Sequence, residues 1–419
     1  MSKSVSIYAD RKLRHMKAKI ILIILLVFLT NICFSQNYSP EISKYVTSLD
    51  KQNTSAKDYI LDLFKKYDIV VLCERHHGEL TQYDLIYDII SSDYFQKNVG
   101  NVFTEIGASD NRENVQTFLN TKFRNQEEKT KQQLNVYRNM TFGIWEKTNF
   151  YNFIGRLNTL NSNLSKSKRI NLSVSNNRNP NNIEISTLEN FKKYFQKYWQ
   201  YDRDSIMAQN IITTFDSILK NSKRKKALVI MNFRHAFSKS FSNDGNINVG
   251  DYLKRHYENK FANVLINSTA MTTQIAKSDL NKPKVFQNMS EVLIQDGKWD
   301  ASFEIINKEN IGFDFENSPF GNDNFDLWPF TEQNNRYKDI FTGFVFYLPI
   351  EKHRDSYGIK GITDGYEEDI YKKISLLMKS LGREPGTIED VKENSKVIIE
   401  NSYDDMDKMI LMKNQWLEK

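Results

Sequence analysis

The chain reads as an α/β protein: a mostly parallel β-sheet flanked by helices, with helical insertions and a C-terminal elaboration. Three observations predict this. Short continuous apolar runs recur at strand length, amphipathic stretches at helical spacing separate them, and polar groups collect where the apolar runs stop. With 419 residues, an apolar fraction of 40%, 27 Phe and 21 Tyr, the chain has enough apolar material for one large folded body.

Residues 57–67 (KDYILDLFKKY) carry apolar positions at helical spacing and lead into DIVVLC, residues 68–73, a run typical of a strand buried on both faces. A helix over 79–92 and a second buried strand over 99–107 (VGNVFTEIG) follow. A longer helical region from about 130 to 165 precedes a third strand over 169–175 (RINLSVS). An Asn-rich loop at 176–182 and an amphipathic region over 186–221 lead to a fourth strand in KALVIMNFRH, residues 226–235. ANVLINST, residues 262–269, is a fifth. Strands alternating with helices in this way imply right-handed βαβ units. Past residue 280 turn formers and aromatics fill FENSPFGNDNFDLWPF (315–330), DIFTGFVFYLP (339–349) reads as one more strand, and 366–419 reads as helical and charged. The expected organisation is a core over 36–280 and an elaboration over 281–419 that completes the same domain.

Residues 16–36 (MKAKIILIILLVFLTNICFSQ) have a basic start, an apolar stretch and the small residue Ser35, so 1–35 reads as a secretory signal peptide, with Met16 an alternative start. The apolar stretch is short for a bilayer span, and no span is expected after cleavage. Ile32 stands where a lipoprotein signal wants a small residue, so lipid attachment at Cys33 is not expected. The mature chain would keep one cysteine, Cys73, leaving no intrachain disulfide despite export. Such a Lys- and Asn-rich, cysteine-poor exported chain suggests a bacterial periplasmic, surface or secreted protein. The net charge of +6 is mild and the basic runs at 166–169 and 223–226 are short, which reads as a solvated face and not as a nucleic-acid surface.

In an open parallel α/β sheet, ligands bind outside the carboxyl ends of the strands. The first strand ends at Glu74, followed by His76, His77 and Gly78, a glycine that allows close backbone approach; the second ends at Glu105, and the fourth at Asn232 and His235. Taken singly, each has an ordinary structural explanation: a Glu there can cap a helix, His76 can be a solvated turn residue, His235 a satisfied core group. Together they bring carboxylates and imidazoles to three strand ends, which favours a cleft. No G-x-S-x-G, H-E-x-x-H or paired C-x-x-C occurs, and GIKGITDG (358–365) lacks the spacing of a nucleotide loop. The aromatic loop at 325–330 reads either as a lid or as a loop pinned by a buried Trp328, with Asp323 and Asp326 beside it.

CERHHG with its E-x-x-H-G form, TEIG after the next strand, DRDSIMAQN (202–210) and IMNFRHA, in this order, resemble the erythromycin-esterase-like family over roughly residues 60–240. The resemblance implies an active cleft of Glu74, His77, Glu105 and His235, with Arg203, Asp204 and Asn210 on a helix lining it and His76 among the substrate contacts. It also implies that His77 acts as general base on a water attacking an ester or lactone carbonyl. For Arg203 and Asp204 a helix-surface ion pair is the alternative. The chain departs from the family at several points: Cys73 replaces the glycine usual before the Glu, Asn232 stands where a histidine is expected, residues 79–92 lack the expected arginine, and the third strand is followed by SNN where an Asp is expected. The scaffold is thus better supported than macrolide chemistry.

Two mechanisms fit these residues. In the first, no cofactor is required: His77 takes a proton from water, Glu74 or Glu105 fixes its tautomer, and His235 stabilises the oxyanion. In the second, Glu74, His77, Glu105 and His235 hold a divalent metal that acidifies bound water. Related exported proteins of the TIKI and ChaN type are metallopeptidases or haem-associated, which keeps a periplasmic metal- or haem-binding protein as the alternative. The expectation is an exported hydrolase cleaving an ester, lactone or amide in a small-molecule or peptide substrate.

Overall fold

β1 (Ile69–Glu74) is buried along its whole length, as a continuous apolar run must be when helices cover both faces of a parallel sheet. The computed structural model describes residues 38–201, 203–240, 247–272, 290–327, 334–394, 398–403 and 405–417. The signal-peptide reading with Met16, Cys33 and Ser35, and the reading of Trp328, lie outside the described residues. The other described strands are β2 (Asn101–Ala108), β3 (Asn171–Asn176), β4 (Ala227–Asn232), β5 (Phe261–Ile266), β6 (Thr269–Thr272), β7 (Ser290–Leu293), β8 (Ile311–Asp314), β9 (Gly343–Phe346), β10 (Asp355–Tyr357) and β11 (Ile399–Asn401).

Seven of them form one sheet in the order β3-β2-β4-β1-β5-β9-β8. Its pairings are parallel except for the edge strand β8, which runs antiparallel to β9. The strand period of two sends alternate side chains to opposite faces. Val71, Cys73, Val229 and Met231 join the apolar core on one face; Val70, Leu72, Leu228 and Ile230 join the core on the other. β6 and β7 form one small antiparallel pair, and β10 and β11 another. Among the described residues, no helix is long and apolar enough to cross a membrane.

The helix expected over 57–67 runs over Ala56–Lys66, started by the Ser55 hydroxyl accepting from the Asp58 amide at 3.1 Å. Longer helical readings break where the backbone demands it. The region from 130 to 165 divides into Gln126–Arg138 and Thr148–Asn163, because Gly143 and Ile144 between them take φ of +88° and +67°, which no α-helix carries. The region 186–221 divides into Leu188–Phe195, a π-helical turn over Gln196–Tyr201, and Arg203–Asn221. The fourth strand stops at Asn232 and not at 235: Phe233 takes φ of +45° and opens a single 3₁₀ turn, Phe233–Ala236.

Segments beyond residue 280 join the same sheet through β8 and β9, and the helix Glu367–Ser380 packs on Leu188–Phe195. The tail over 366–419 also contains the helices Ile388–Asn394 and Met406–Asn414, with β11 between them. The helix Lys298–Ile305 brings in Trp299, 1% exposed, whose ring lies 4.6–5.9 Å from those of Phe315, Phe320, Tyr337 and Phe344. Its Nε1 donates to Asp323 Oδ2 at 2.9 Å, and Tyr45 donates to the same oxygen at 2.6 Å. Asp326 accepts from the Tyr337 hydroxyl and from the Gln295 amide. These two aspartates therefore hold the loop against the core and do not face the strand ends. Trp299→Ala removes both the rings' common partner and a buried donor, and should lower unfolding free energy by about 3–5 kcal/mol in urea denaturation. A loss under about 1 kcal/mol would show that the aromatic knot collapses around the gap.

Candidate active site

The sheet order places β2, β4 and β1 side by side, so their carboxyl ends open onto one spot. Glu74 is the last residue of β1 and stands in register with Asn232, the last of β4. Glu105 lies near the end of β2, where the pairing with β3 shifts register between Thr104 and Ala108. Gly107 permits this irregularity: its φ is +106°, and a Cβ there would meet the Val174 side chain at 2.5 Å. Such a bulge re-aims a side chain without ending the strand.

Six polar side chains from three strand ends and one helix meet there. His77 Nδ1 lies 3.1 Å from Glu74 Oε2, and its Nε2 is 3.7 Å from Glu105 Oε1. His235 Nε2 approaches the same Glu105 oxygen at 3.6 Å. Arg203 Nη2 donates to that oxygen at 2.8 Å, and Arg203 Nη1 sits 3.2 Å from His235 Nε2. The other Glu105 oxygen accepts the Asn232 amide at 2.9 Å. Asp204 accepts from His235 Nδ1 at 2.9 Å and from Arg234 at 3.2 Å. In neutral His235, Nδ1–H given to Asp204 leaves Nε2 to accept from the guanidinium.

Asn210 and His76 stand apart from this group. Asn210 donates to the Ser175 carbonyl at 3.0 Å and so ties the helix Arg203–Asn221 to the end of β3. His76 turns away: its Nδ1 is 2.6 Å from Asp355 Oδ2, without hydrogen-bond alignment, and its ring meets Tyr403 edge-on. Gly78 lies against β10, its carbonyl accepting the Ser356 amide at 2.9 Å, and an added Cβ would come within 3.3 Å of Asp355 and Tyr357. Cys73 is a packed strand residue, free and 1% exposed, with Sγ 3.5 Å from the Phe233 carbonyl.

Other residues brought to the site carry no motif. The Tyr83 hydroxyl donates to Glu74 Oε1 at 2.5 Å, and the Trp145 ring meets His77 edge-on at 4.9 Å. Arg75, fully buried, bonds Glu79 at 3.0 Å, Thr81 at 2.9 Å and both oxygens of Asn267 at 2.6 Å. Glu79 also accepts the Thr81 and Gln82 amides at 2.9 and 2.8 Å. Asn149 donates to the carbonyls of His77 and Glu79, each at 2.8 Å. The turn carrying His77 is thus held from both sides. The one signal for Arg75 and Glu79 in the sequence was their spacing of four beside the strand end; Tyr83, Trp145 and Asn149 had none.

Burial disfavours the charged form of His77, but the hydrogen bond to Glu74 and the charges of Glu105 and Glu74 outweigh it, so its pKa rises above the ordinary 6.5. Burial would push the Glu105 carboxyl up; His235, Arg203, His77 and the Asn232 amide instead hold it down, at about 2. Asp204 is also lowered, against its burial, chiefly by His235 and the two arginines. The linkage signs follow. Stability from His77 is complete below 6.5 and is lost as pH rises through its raised pKa, while that from Glu105 is complete above 4.5 and is lost as pH falls toward about 2. The cluster holds the fold best between those limits.

Beside the cluster lies a cavity of about 230 Å³ that Glu105, Arg203, Asn176 and Thr141 line together with apolar residues such as Phe142, Trp145, Phe191, Trp199 and Leu377. A wider groove of about 850 Å³, lined by residues such as Asp84, Lys129, Gln133 and Arg156, reaches none of Glu74, His77, Glu105, Arg203 or His235. Among the described residues, no three His, Cys, Asp or Glu side chains converge as a metal ion requires.

No protein-family model matches the chain, and no curated protein matches it. Solved structures are similar at low identity. A protein from Bacillus cereus is 10% identical, with 72% of this chain and 96% of that one covered and a TM-score of 0.44. An erythromycin esterase mutant in its open conformation is 10% identical, with 68% and 91% covered and a TM-score of 0.41. A succinoglycan biosynthesis protein is 9% identical, with 75% and 94% covered and a TM-score of 0.41.

Nuclear magnetic resonance titration of the histidine ring nitrogens should place the His77 midpoint above 6.5, and Glu105→Gln should move it down by removing a neighbouring negative charge. A midpoint indifferent to Glu105→Gln would mean that the two side chains do not share the cluster in solution.

Proposed function

We propose that this protein is a hydrolase that uses His77 as general base to cleave an ester, lactone or amide bond. The observation that carries this reading is the convergence on one Glu105 oxygen of Arg203 at 2.8 Å, His235 Nε2 at 3.6 Å and His77 Nε2 at 3.7 Å. Glu74 accepts the Nδ1–H of His77, which leaves the Nε2 lone pair free to take a proton from water. The water oxygen bonds to the carbonyl carbon as the carbonyl electron pair moves onto its oxygen. Arg203, a permanent cation with a side chain 21% exposed, donates to that oxyanion. Collapse of the adduct breaks the bond to the leaving oxygen or nitrogen, which takes the proton back from His77.

This assigns the oxyanion to Arg203 and not to His235, the residue the sequence suggested. With His235 neutral and its Nδ1–H given to Asp204, Nε2 accepts from the guanidinium and has no proton for an oxyanion, so His235 positions Arg203. The donor set supports the metal-free form of the reaction. A divalent ion bound to Glu105 Oε1 and His235 Nε2 would have to displace a guanidinium that is already 2.8 and 3.2 Å from them. Export to the periplasm, surface or medium is part of the proposal and rests on the signal pattern in residues 16–36. The substrate is a small molecule or peptide.

On a panel of aryl esters and lactones, His77→Ala should lower kcat/KM by about 10²- to 10⁴-fold in a protein that remains folded by circular dichroism. A chelator should leave the wild-type rate unchanged. The wild-type kcat/KM should climb with pH along a limb above 6.5, since only neutral His77 accepts the proton. A rate that survives His77→Ala rejects this base, and a rate abolished by chelator assigns the residues to a metallohydrolase. A metal or haem that copurifies tightly with a protein inert toward every ester and peptide assigns them to a binding protein.

A further inference from the structure

The cavity beside the cluster has a lining of two kinds. Glu105, Arg203, Asn176 and Thr141 supply the polar part, and Arg203 lies 5.1 Å from the centre of the Trp199 ring, one of the apolar walls. Those walls come from separate parts of the chain. Trp145 sits in the loop before the helix Thr148–Asn163, Phe191 and Trp199 lie in the segment between β3 and the helix Arg203–Asn221, and Leu377 is on the late helix Glu367–Ser380. Phe191 packs with Tyr194 and Phe195 in a small apolar cluster of its own, against which Phe142, Trp199 and Leu377 rest. This cluster is distinct from the two cores that sandwich the sheet, so part of the pocket wall has packing of its own.

Volume decides what such a pocket takes. An apolar cavity of about 150 Å³ is filled by benzene, and sites for drug-sized ligands run to roughly 300–1,000 Å³. At about 230 Å³ the cavity admits one aromatic ring with a short linker, or a chain of similar bulk, and is too small for two fused rings carrying that linker or for a macrocycle. We infer that this pocket receives the acyl side of the substrate, and that the substrates are esters, lactones or amides of acids carrying a single ring or a short aliphatic chain. This rests on the hydrolytic reading above: a ring packed on the apolar walls brings the attached carbonyl to Arg203, the group that receives its oxyanion. The wider groove is a poor competitor, because none of Glu74, His77, Glu105, Arg203 and His235 lines it.

Two series of compounds test the pocket and the chemistry separately. Methyl esters of acetic, hexanoic, phenylacetic and 2-naphthylacetic acids are assayed by pH-stat, and the methyl ketones of matching shape, which cannot be hydrolysed, are titrated by calorimetry. Both series should improve on the order of 100-fold from the acetyl to the phenylacetyl member as apolar surface is buried, and fall at least tenfold at the naphthyl member. Leu377→Trp, at a half-buried wall position, should abolish the phenylacetyl preference, and Leu377→Ala should move the optimum toward the naphthyl member. Thermal melts of both variants establish that they are folded, and the opposite directions of change exclude a general loss of structure.

Ketone binding with this size profile but no ester turnover would keep the pocket and reject the hydrolytic reading. Turnover with a flat profile, or a profile that Leu377 substitutions do not move, would reject the pocket as the acyl site and keep the hydrolase.

Discussion

Glu105 sits near the end of a fully buried strand, where an isolated carboxylate would take up a proton sooner than remain charged. It stays ionised because the ends of β1 and β4 and the start of the helix Arg203–Asn221 each deliver a positive or donating group to it. The dependence runs in both directions. Without the carboxylate, Arg203 would lose the acceptor that holds its guanidinium at 2.8 Å, and the two imidazoles would lose their common neighbour. Breaking a buried charge group by removing one partner costs far more than a surface ion pair contributes. The order of the strands, the bulge in β2 and the 3₁₀ turn after β4 all serve to satisfy this one oxygen pair.

A second buried charge pair, Arg75 with Glu79, lies one residue from the first and has a different task. Its hydrogen bonds run to Asn267 beyond β5 and to amides of the turn that carries His77, and the Glu79 segment in turn bridges to β10. The late part of the chain is thereby fastened to the turn that presents the imidazole. His353, buried nearby, is pushed down to about 3 by its burial and by Arg75, so it stays neutral there. The base and the scaffold that aims it are separate electrostatic units, the first open to a ligand and the second sealed.

The strands that bear the site were legible in the sequence because each is an apolar run with a polar residue at or near its end, and such runs have one economical burial. Glu74 and Glu105 could be read from that pattern directly. His235 could be placed near the strand end, but its 3₁₀ turn depends on a positive φ at Phe233 that an aromatic residue does not announce. The strands β6, β7, β8, β10 and β11 span only three or four residues, too few for a period to register, and they exist through their partners. Tyr83 and Trp145 were invisible for a related reason. A tyrosine on an amphipathic helix and a tryptophan in a loop look like ordinary core material until the fold brings them against Glu74 and His77. His76 shows the reverse: adjacency to His77 in the chain put it on the other side of the turn, toward Asp355.

The strand order also governs how the molecule can be assembled. β1 pairs only with β4 and β5, strands that lie far along the chain, and its nearest sequence neighbour β2 pairs with β3 and β4. During synthesis β1 therefore waits with both edges unpaired until the chain beyond residue 227 emerges and β4 inserts between it and β2. Long-range parallel pairing of this kind is slow, and an unpaired apolar strand is an aggregation hazard while it lasts. The same insertion brings Glu74, Glu105 and His235 together, so the chain has no charge cluster before it has a sheet. Premature termination anywhere before β4 would leave a sticky fragment with none of its chemistry.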